Sequence, residues 1–302
     1  MAIKPFLIVG CPRSGTTILS SEIQKKFNVG IVDELNLELL RPVAEKREIS
    51  PREARKTIKR ILLYKRLEMF LVMGLSANIP SLRHSEAYSP TLFAKSTMMP
   101  KNEFVKKVLK LFSGKKSKLN GLKLVGYKPT SAELIEKIFG TDFRIIIIER
   151  NPAHVVRSWI REKWGPKTIA EGILLWRFHQ RWSEKIQRKY QRNCIKVDYA
   201  AFTKNPDKTL KKIQKFLGVT LKNKPTRKKI SIMPWYKNVH LPVFSNQPEL
   251  ADEFKNRVFQ ALAKTKTLTL KQLQSALEVI RPLNNETVKK YLVMLTRLAV
   301  PV

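Results

Sequence analysis

The chain has 302 residues, 43% of them hydrophobic, which suffices for a sizeable core and fits one large domain or one domain with a small appendage. Its two cysteines, Cys11 and Cys194, exclude a disulfide framework or a cysteine metal site, and no apolar run approaches the ~18 residues that a membrane span needs. Fifty-nine Lys and Arg face 24 Asp and Glu, and the formal net charge of +35 favours an anionic partner: nucleic acid, acidic polysaccharide, acidic lipid headgroups or a polyanionic cofactor.

The excess charge is dispersed. Residues 46–66 carry nine basic and two acidic side chains, residues 101–118 seven and one, and residues 204–229 ten and one. A solvated, generally basic surface accounts for such runs equally well. The first apolar run feeds straight into a glycine-bounded loop and so is not a removable leader, which leads to the expectation of a reduced, cytoplasmic protein.

In chain order, residues 5–9 read as a buried strand and 15–27 as a helix, joined by Gly10-Cys-Pro-Arg-Ser-Gly15-Thr-Thr17. Ile31-Val-Asp33-Glu34 follows and reads as an acidic helix start or a functional acid pair. Ser50-Pro51-Arg52-Glu53 is a capping box with proline at the first helical position. Residues 75–100 lack periodicity and read as irregular. A strand is expected at 122–126, then a second capping box, Thr130 to Glu133, opening a helix to Phe139. Residues 144–149, Arg-Ile-Ile-Ile-Ile-Glu, give the strongest strand signal, that of a strand covered on both faces. Helices at 152–163 and 168–190, a strand from Ile195 to Tyr199 and an Asn205-Pro206-capped helix ending at Gly218 complete an alternating pattern. That alternation implies an α/β fold, a parallel sheet of the P-loop type with helices on both faces.

From about residue 248 the pattern is helical only. Thr269 to Gln272 is another capping box, and a helix over 285–298 follows a break at Pro282. The division expected is therefore 1–245 for the α/β domain and 246–302 for a helical extension. The extension reads either as a helix-turn-helix for DNA, with Lys289, Lys290 and Arg297 toward the backbone, or as a packing cap.

The loop after the first strand has the form of a phosphate cradle, in which a buried strand delivers backbone N–H groups to the positive end of a helix. Thr16 stands where GxxxxGK[ST] has lysine, and the cation comes earlier, at Arg13. Magnesium–ATP chemistry is thereby disfavoured, and no metal is expected.

Cys-Pro-Arg-Ser-Gly-Thr-Thr resembles the 5′-phosphosulfate loop of sulfotransferases that use 3′-phosphoadenosine-5′-phosphosulfate (PAPS). Residues 145–160, IIIIERNPAHVVRSWI, resemble that family's 3′-phosphate element, with Arg150 and, eight residues on, Ser158. Ile195 to Phe202, continuing through Asn205-Pro206 to Gly218, is similar to the family's later strand–helix pattern and brings in Tyr199. The resemblance spans about residues 4–220. It implies transfer of a sulfuryl group from PAPS to a hydroxyl or amine of an acceptor.

On this resemblance Arg13, Ser14, Gly15, Thr16 and Thr17 would hold the 5′ end of the donor, and Arg150, Ser158 and Tyr199 its 3′ phosphate and neighbourhood. Arg13 would also neutralise the leaving phosphate. Lys128, in Gly126-Tyr-Lys-Pro-Thr130, matches a lysine placed near the transferred group. Glu34 is the candidate base, with Asp33 and His84 as rivals. Lys228, Lys229 and Trp235 are candidate donor contacts, while Trp159, Trp164, Trp176 and Trp182 read as core. The basic surface suggests a polyanionic acceptor, carbohydrate or lipid. A P-loop kinase or a nucleic-acid-binding protein on a degenerate fold are the alternatives.

Overall fold

Ile145 to Ile148 are each no more than 1% exposed, so the strand they form must be covered on both faces, and the rest of the fold is arranged around it. In the computed structural model the described residues are 5–33, 35, 37–73, 97–113, 119–124, 132–162, 165–221 and 250–280. The strands are β1 (Phe6–Val9), β2 (Val29–Asp33), β3 (Leu119–Leu124), β4 (Arg144–Glu149) and β5 (Cys194–Asp198). They form one five-stranded sheet in the order β2-β3-β1-β4-β5, and every pairing is parallel. The α/β expectation holds.

The helices longer than one turn are α1 (Thr16–Lys26), α2 (Pro51–Met73), α3 (Lys101–Ser113), α4 (Ala132–Phe139), α5 (Pro152–Ile160), α6 (Ile169–Lys189), α7 (Tyr199–Lys204), α8 (Pro206–Leu217), α9 (Asp252–Thr265) and α10 (Leu270–Ile280). Their ends follow local chemistry. Glu53 N–H donates to Ser50 Oγ at 3.3 Å while Ser50 N–H donates to Glu53 Oε2 at 3.0 Å, the reciprocal capping box. Lys46, then Ser50, hold the Glu53 carboxyl down to about 2. Thr269 and Gln272 make the same box ahead of α10. Asn205 caps α8, and Gly218 closes it at φ 62°, a left-handed conformation that glycine adopts at no steric cost.

Alternate residues of each strand face opposite layers. Leu7, Val9, Leu122, Ile145 and Ile147 pack against α2, α3, α4 and the end of α6. Phe6, Ile8, Ile31, Ile146, Ile148 and Val197 pack against α1, α7 and α8. Tyr190 locks the first layer: its hydroxyl donates to Ala132 O at 3.0 Å, and its ring meets Phe143 edge-on at 5.0 Å. Trp159 and Trp182 are core, as expected. Residues 250–280 pack on α5 and α6 through Leu250, Val258 and Leu273, and Arg177 and Arg181 of α6 donate to Leu262 O and Lys266 O. Among the described residues no helix is long and apolar enough to cross a membrane.

The strand β2 differs from expectation. Asp33 ends a strand rather than opening a helix, because the β2–β3 ladder pairs it with Lys123. The segment holds Gly30 and only three apolar residues, Val29, Ile31 and Val32, too few to show alternation. The β3 strand begins three residues earlier than expected. Met99–Pro100 pairs antiparallel with Glu48–Ile49, where irregular structure was expected. Residues 75–96, Thr130 of the second capping box and the helix expected over 285–298 lie outside the described residues.

At the centre of the sheet Phe6 lies opposite Gly121, and a Cβ there would sit 2.3 Å from the Phe6 ring. Gly121→Ala is expected to lower stability by about 1–3 kcal/mol, measured by urea unfolding, because the fully buried ring has nowhere to move. Adding Phe6→Leu should recover part of that loss; no loss in the single variant would show that the layer is loosely packed.

Candidate active site

The chain leaves β1 toward one layer and β4 toward the other. Helix α1 packs with Ile8 and Ile148 on one face, and α6 reaches Ile145 and Ile147 on the opposite face. Since β1 and β4 are neighbours, a crevice opens between their carboxyl ends, the point where open parallel sheets place ligands. Both sequence elements singled out as anion-binding, the loop 10–17 and the Arg150 segment, emerge there.

The loop is shaped by close approaches. Gly10 lies against β4, and a Cβ on it would come within 2.8 Å of Ile148 O. Gly15 has φ 93°, and a Cβ on it would fall 2.4 Å from the Tyr199 ring. Arg13 also takes a positive φ, 70°, at a cost of order 1 kcal/mol for a non-glycine residue. Ser14 N–H donates to Cys11 O at 3.0 Å, closing the turn, and Ser14 is 1% exposed. No side chain caps α1, whose first turn carries no acid, so its leading N–H groups point into the loop.

The second element reaches this loop directly. Arg150 Nη1 donates to Arg13 O at 3.0 Å, and its guanidinium lies over the Tyr199 ring at 4.4 Å from the centroid. Burial lowers the Arg150 pKa, Tyr199 opposes that shift, and Arg13 adds to it as a like charge. Arg13 Nε donates to Ser158 Oγ at 3.0 Å, and Arg13 Nη2 pairs with Glu162 Oε1 at 3.0 Å. Sequence reasoning divided these residues between two anion sites. The structure joins them: Arg13 of the loop and Ser158 of α5 touch, and Tyr199 packs on both the loop glycine and Arg150.

Lys123 went unnoticed in the sequence. It is 1% exposed, lies beside Ile8 in the β3–β1 ladder, and donates from Nζ to Thr17 Oγ1 at 2.9 Å. The signal was a lysine between Leu122 and Leu124, two strand residues that share one buried layer and so place Lys123 on the other face. Burial of lysine is rare without a polar partner. Beside the loop is a cavity of about 230 Å³ whose walls include Cys11, Ser14, Arg150, Trp176, His179 and Asp198. The Cys11 thiol is pushed well up by burial and is therefore held in its neutral form. His179 and Trp176 come from α6, whose tryptophans read as core in the sequence.

Arg13, Ser14, Gly15, Thr16, Thr17, Arg150, Ser158 and Tyr199 thus converge on one crevice. Glu34, Lys128, His84, Lys228, Lys229, Trp164 and Trp235 lie outside the described residues. Of Asp33 the backbone alone is described, at the end of β2, beside Lys123 in register.

The sequence matches the model described as Sulfotransferase family over residues 5–223. Among curated protein sequences none matches the chain. Solved structures similar to it include the sulfotransferase domain from the Synechococcus PCC 7002 olefin synthase, at 16% identity, TM-score 0.48, covering 88% of this chain and 95% of that one. The sulfotransferase domain from the curacin biosynthetic pathway matches at 15% identity, TM-score 0.45, over 87% of this chain and 98% of its own. A sulfotransferase from Alicyclobacillus acidocaldarius matches at 16% identity, TM-score 0.44, over 92% and 97%. With the family match spanning the whole sheet, the loop 10–17 and the Arg150 segment, the chain belongs to the sulfotransferase family.

Proposed function

We propose that this enzyme transfers a sulfuryl group from PAPS to a hydroxyl or amine of an acceptor. The observation that carries the reading is the meeting of Arg150, Ser158 and the loop: Arg150 donates to Arg13 O, and Arg13 donates to Ser158, each at 3.0 Å. PAPS bears anions at both ends of one ribose, so it needs two oxyanion contacts at a single sheet edge. The residues fit it: Gly10 and Gly15 leave room for close approach to backbone amides, and two guanidinium groups border the same crevice.

When bound, PAPS supplies an activated sulfuryl group on a phosphosulfate bridge. The loop residues Ser14, Gly15, Thr16 and Thr17 bind its 5′ end through backbone N–H and hydroxyl groups, and Arg13 offsets negative charge there. Arg150 offers a planar fork to the 3′ phosphate, held in orientation by the Tyr199 face. Ser158 donates to the same group. Lys128 and Glu34 keep the roles implied by the resemblance: Lys128 as a cation near the transferred group, Glu34 as the base that removes the acceptor proton, with Asp33 and His84 as rivals. The acceptor is proposed to be polyanionic, carbohydrate or lipid, in keeping with the +35 charge, and the setting cytoplasmic. Residues 246–302 are proposed as a helical cap on this domain.

Adenosine 3′,5′-bisphosphate should raise the melting temperature without magnesium; a response that requires ATP and magnesium would favour the kinase alternative, and salt-sensitive DNA binding with no nucleotide response the third. Arg150→Ala should weaken bisphosphate binding by about ten- to a hundredfold in calorimetry, the range for losing a charge-assisted hydrogen bond. Unchanged affinity would remove the 3′-phosphate contact from the reading.

Glu34→Gln should slow transfer of labelled sulfate onto the best acceptor of a hydroxyl and amine panel by about a hundredfold or more, leaving bisphosphate affinity intact. If Glu34→Gln retains full rate while Asp33→Asn or His84→Ala loses it, the base is reassigned.

A further inference from the structure

Helix α8 carries a row of lysines opposite its buried side. Lys208, Lys211, Lys212 and Lys215 recur at i, i+3, i+4 and i+7, so they share one helix face, and all four are exposed. Leu210, Ile213 and Leu217, which α8 buries, lie on the other face. At a rise of about 1.5 Å per residue the row is about 10 Å long. Lys204, exposed at the end of α7, adds a fifth charge. Between residues 199 and 221 the sole acid is Asp207, and it pairs with Lys26 of α1 at 3.1 Å. Among the described residues no carboxylate pairs with any of the five lysines.

Like charges three and four residues apart repel and weaken a helix. Helix α8 is held against that repulsion by its Asn205 cap, its apolar face and the left-handed turn at Gly218. The lysine row therefore opposes folding and is compensated by nothing inside the molecule, which points it toward an external anion. The residue types narrow the choice of anion. Every cation of α7 and α8 is a lysine, a hydrated point charge, and none offers the guanidinium fork that suits bidentate phosphate contact in nucleic acid. No exposed residue between 200 and 221 is aromatic, so this face has no platform on which a base could stack. The lysines stand on the convex outer side of a helix, a shape that meets a plane. Just past the end of α8, Leu221 is 56% exposed, an apolar side chain beside the charged row. A row of basic residues on an amphipathic helix is attracted to anionic headgroups, and an apolar side chain next to it can enter the layer beneath them. We propose that the α7–α8 face docks the protein on an anionic lipid bilayer, with the lysines on the headgroups and Leu221 at their inner boundary.

The test is sedimentation of the full chain with vesicles. It is expected to pellet with phosphatidylcholine vesicles that contain phosphatidylglycerol, to stay in solution with phosphatidylcholine alone, and to be released by added salt. The combined variant Lys208→Gln, Lys211→Gln, Lys212→Gln and Lys215→Gln should partition about a hundredfold more weakly. Lys211→Gln with Lys215→Gln should show about a tenfold loss, and it serves should the larger variant not fold. The control removes equal charge from the opposite side of the sheet: Arg52→Gln, Arg55→Gln, Lys56→Gln and Lys59→Gln on α2 should keep most of the binding. Equal losses in the α2 and α8 variants would assign the effect to net charge and overturn the proposal, as would a wild-type chain that ignores phosphatidylglycerol. If the α8 variant loses affinity for duplex DNA or heparin and keeps its vesicle binding, the face serves a polymer and the membrane is excluded. Vesicle binding is read without nucleotide or acceptor, so failure of the donor reading leaves it untouched.

Discussion

Positive charge concentrated at one sheet edge is the constraint to which the rest of this structure answers. Arg13, Arg150, the buried Lys123 and the leading end of α1 are brought toward one loop, and like charges in a partly dehydrated crevice repel more strongly than they would in water. Several features hold them in place. Arg150 rests on the Tyr199 ring and donates to a backbone carbonyl; Arg13 spreads its donors between Ser158 and Glu162; Lys123 donates to Thr17. Each contact fixes a donor before any ligand arrives, which lowers the reorganisation that binding requires.

The sheet order makes this concentration possible. Because β1 and β4 are adjacent and their following helices go to opposite layers, the two chain exits open the crevice from both sides. The apolar demands of the strands are satisfied below it, by Ile145 to Ile148 and by Phe6 over Gly121. Gly15 couples the two levels. Its left-handed backbone starts α1, and the space where a side chain would be is taken by Tyr199, which in turn supports Arg150.

Much of this was legible in the sequence, for definable reasons. Four isoleucines in a row leave a central strand as the economical solution, and Gly10 and Gly15 bracketing a serine and an arginine signal a backbone that must turn sharply. Other features had no local signature. Val29–Asp33 carries too few apolar residues to show alternation, so its strand is defined by pairing with β3 alone. Lys123 is a single lysine in a chain with 59 basic residues, and its place between two leucines of a strand is a faint signal that tertiary contact makes decisive. The bond between Arg13 and Ser158, 145 positions apart, is likewise a product of topology, and a linear reading assigns the two to separate sites.

The same distinction bears on the overall charge. Lys208, Lys211, Lys212 and Lys215 line the exposed side of α8, and Arg52, Arg55, Lys56 and Lys59 lie on exposed parts of α2. Charges of this kind are screened within about 8 Å at physiological ionic strength. They raise the local concentration of any anion and speed encounter, without discriminating one anion from another. Discrimination requires donors whose positions are fixed, as those of Arg13, Arg150 and Lys123 are at the end of the sheet. On the proposed reading, the large basic excess and the small basic crevice would act on different steps, the first on how often a polyanion arrives and the second on which part of it is held.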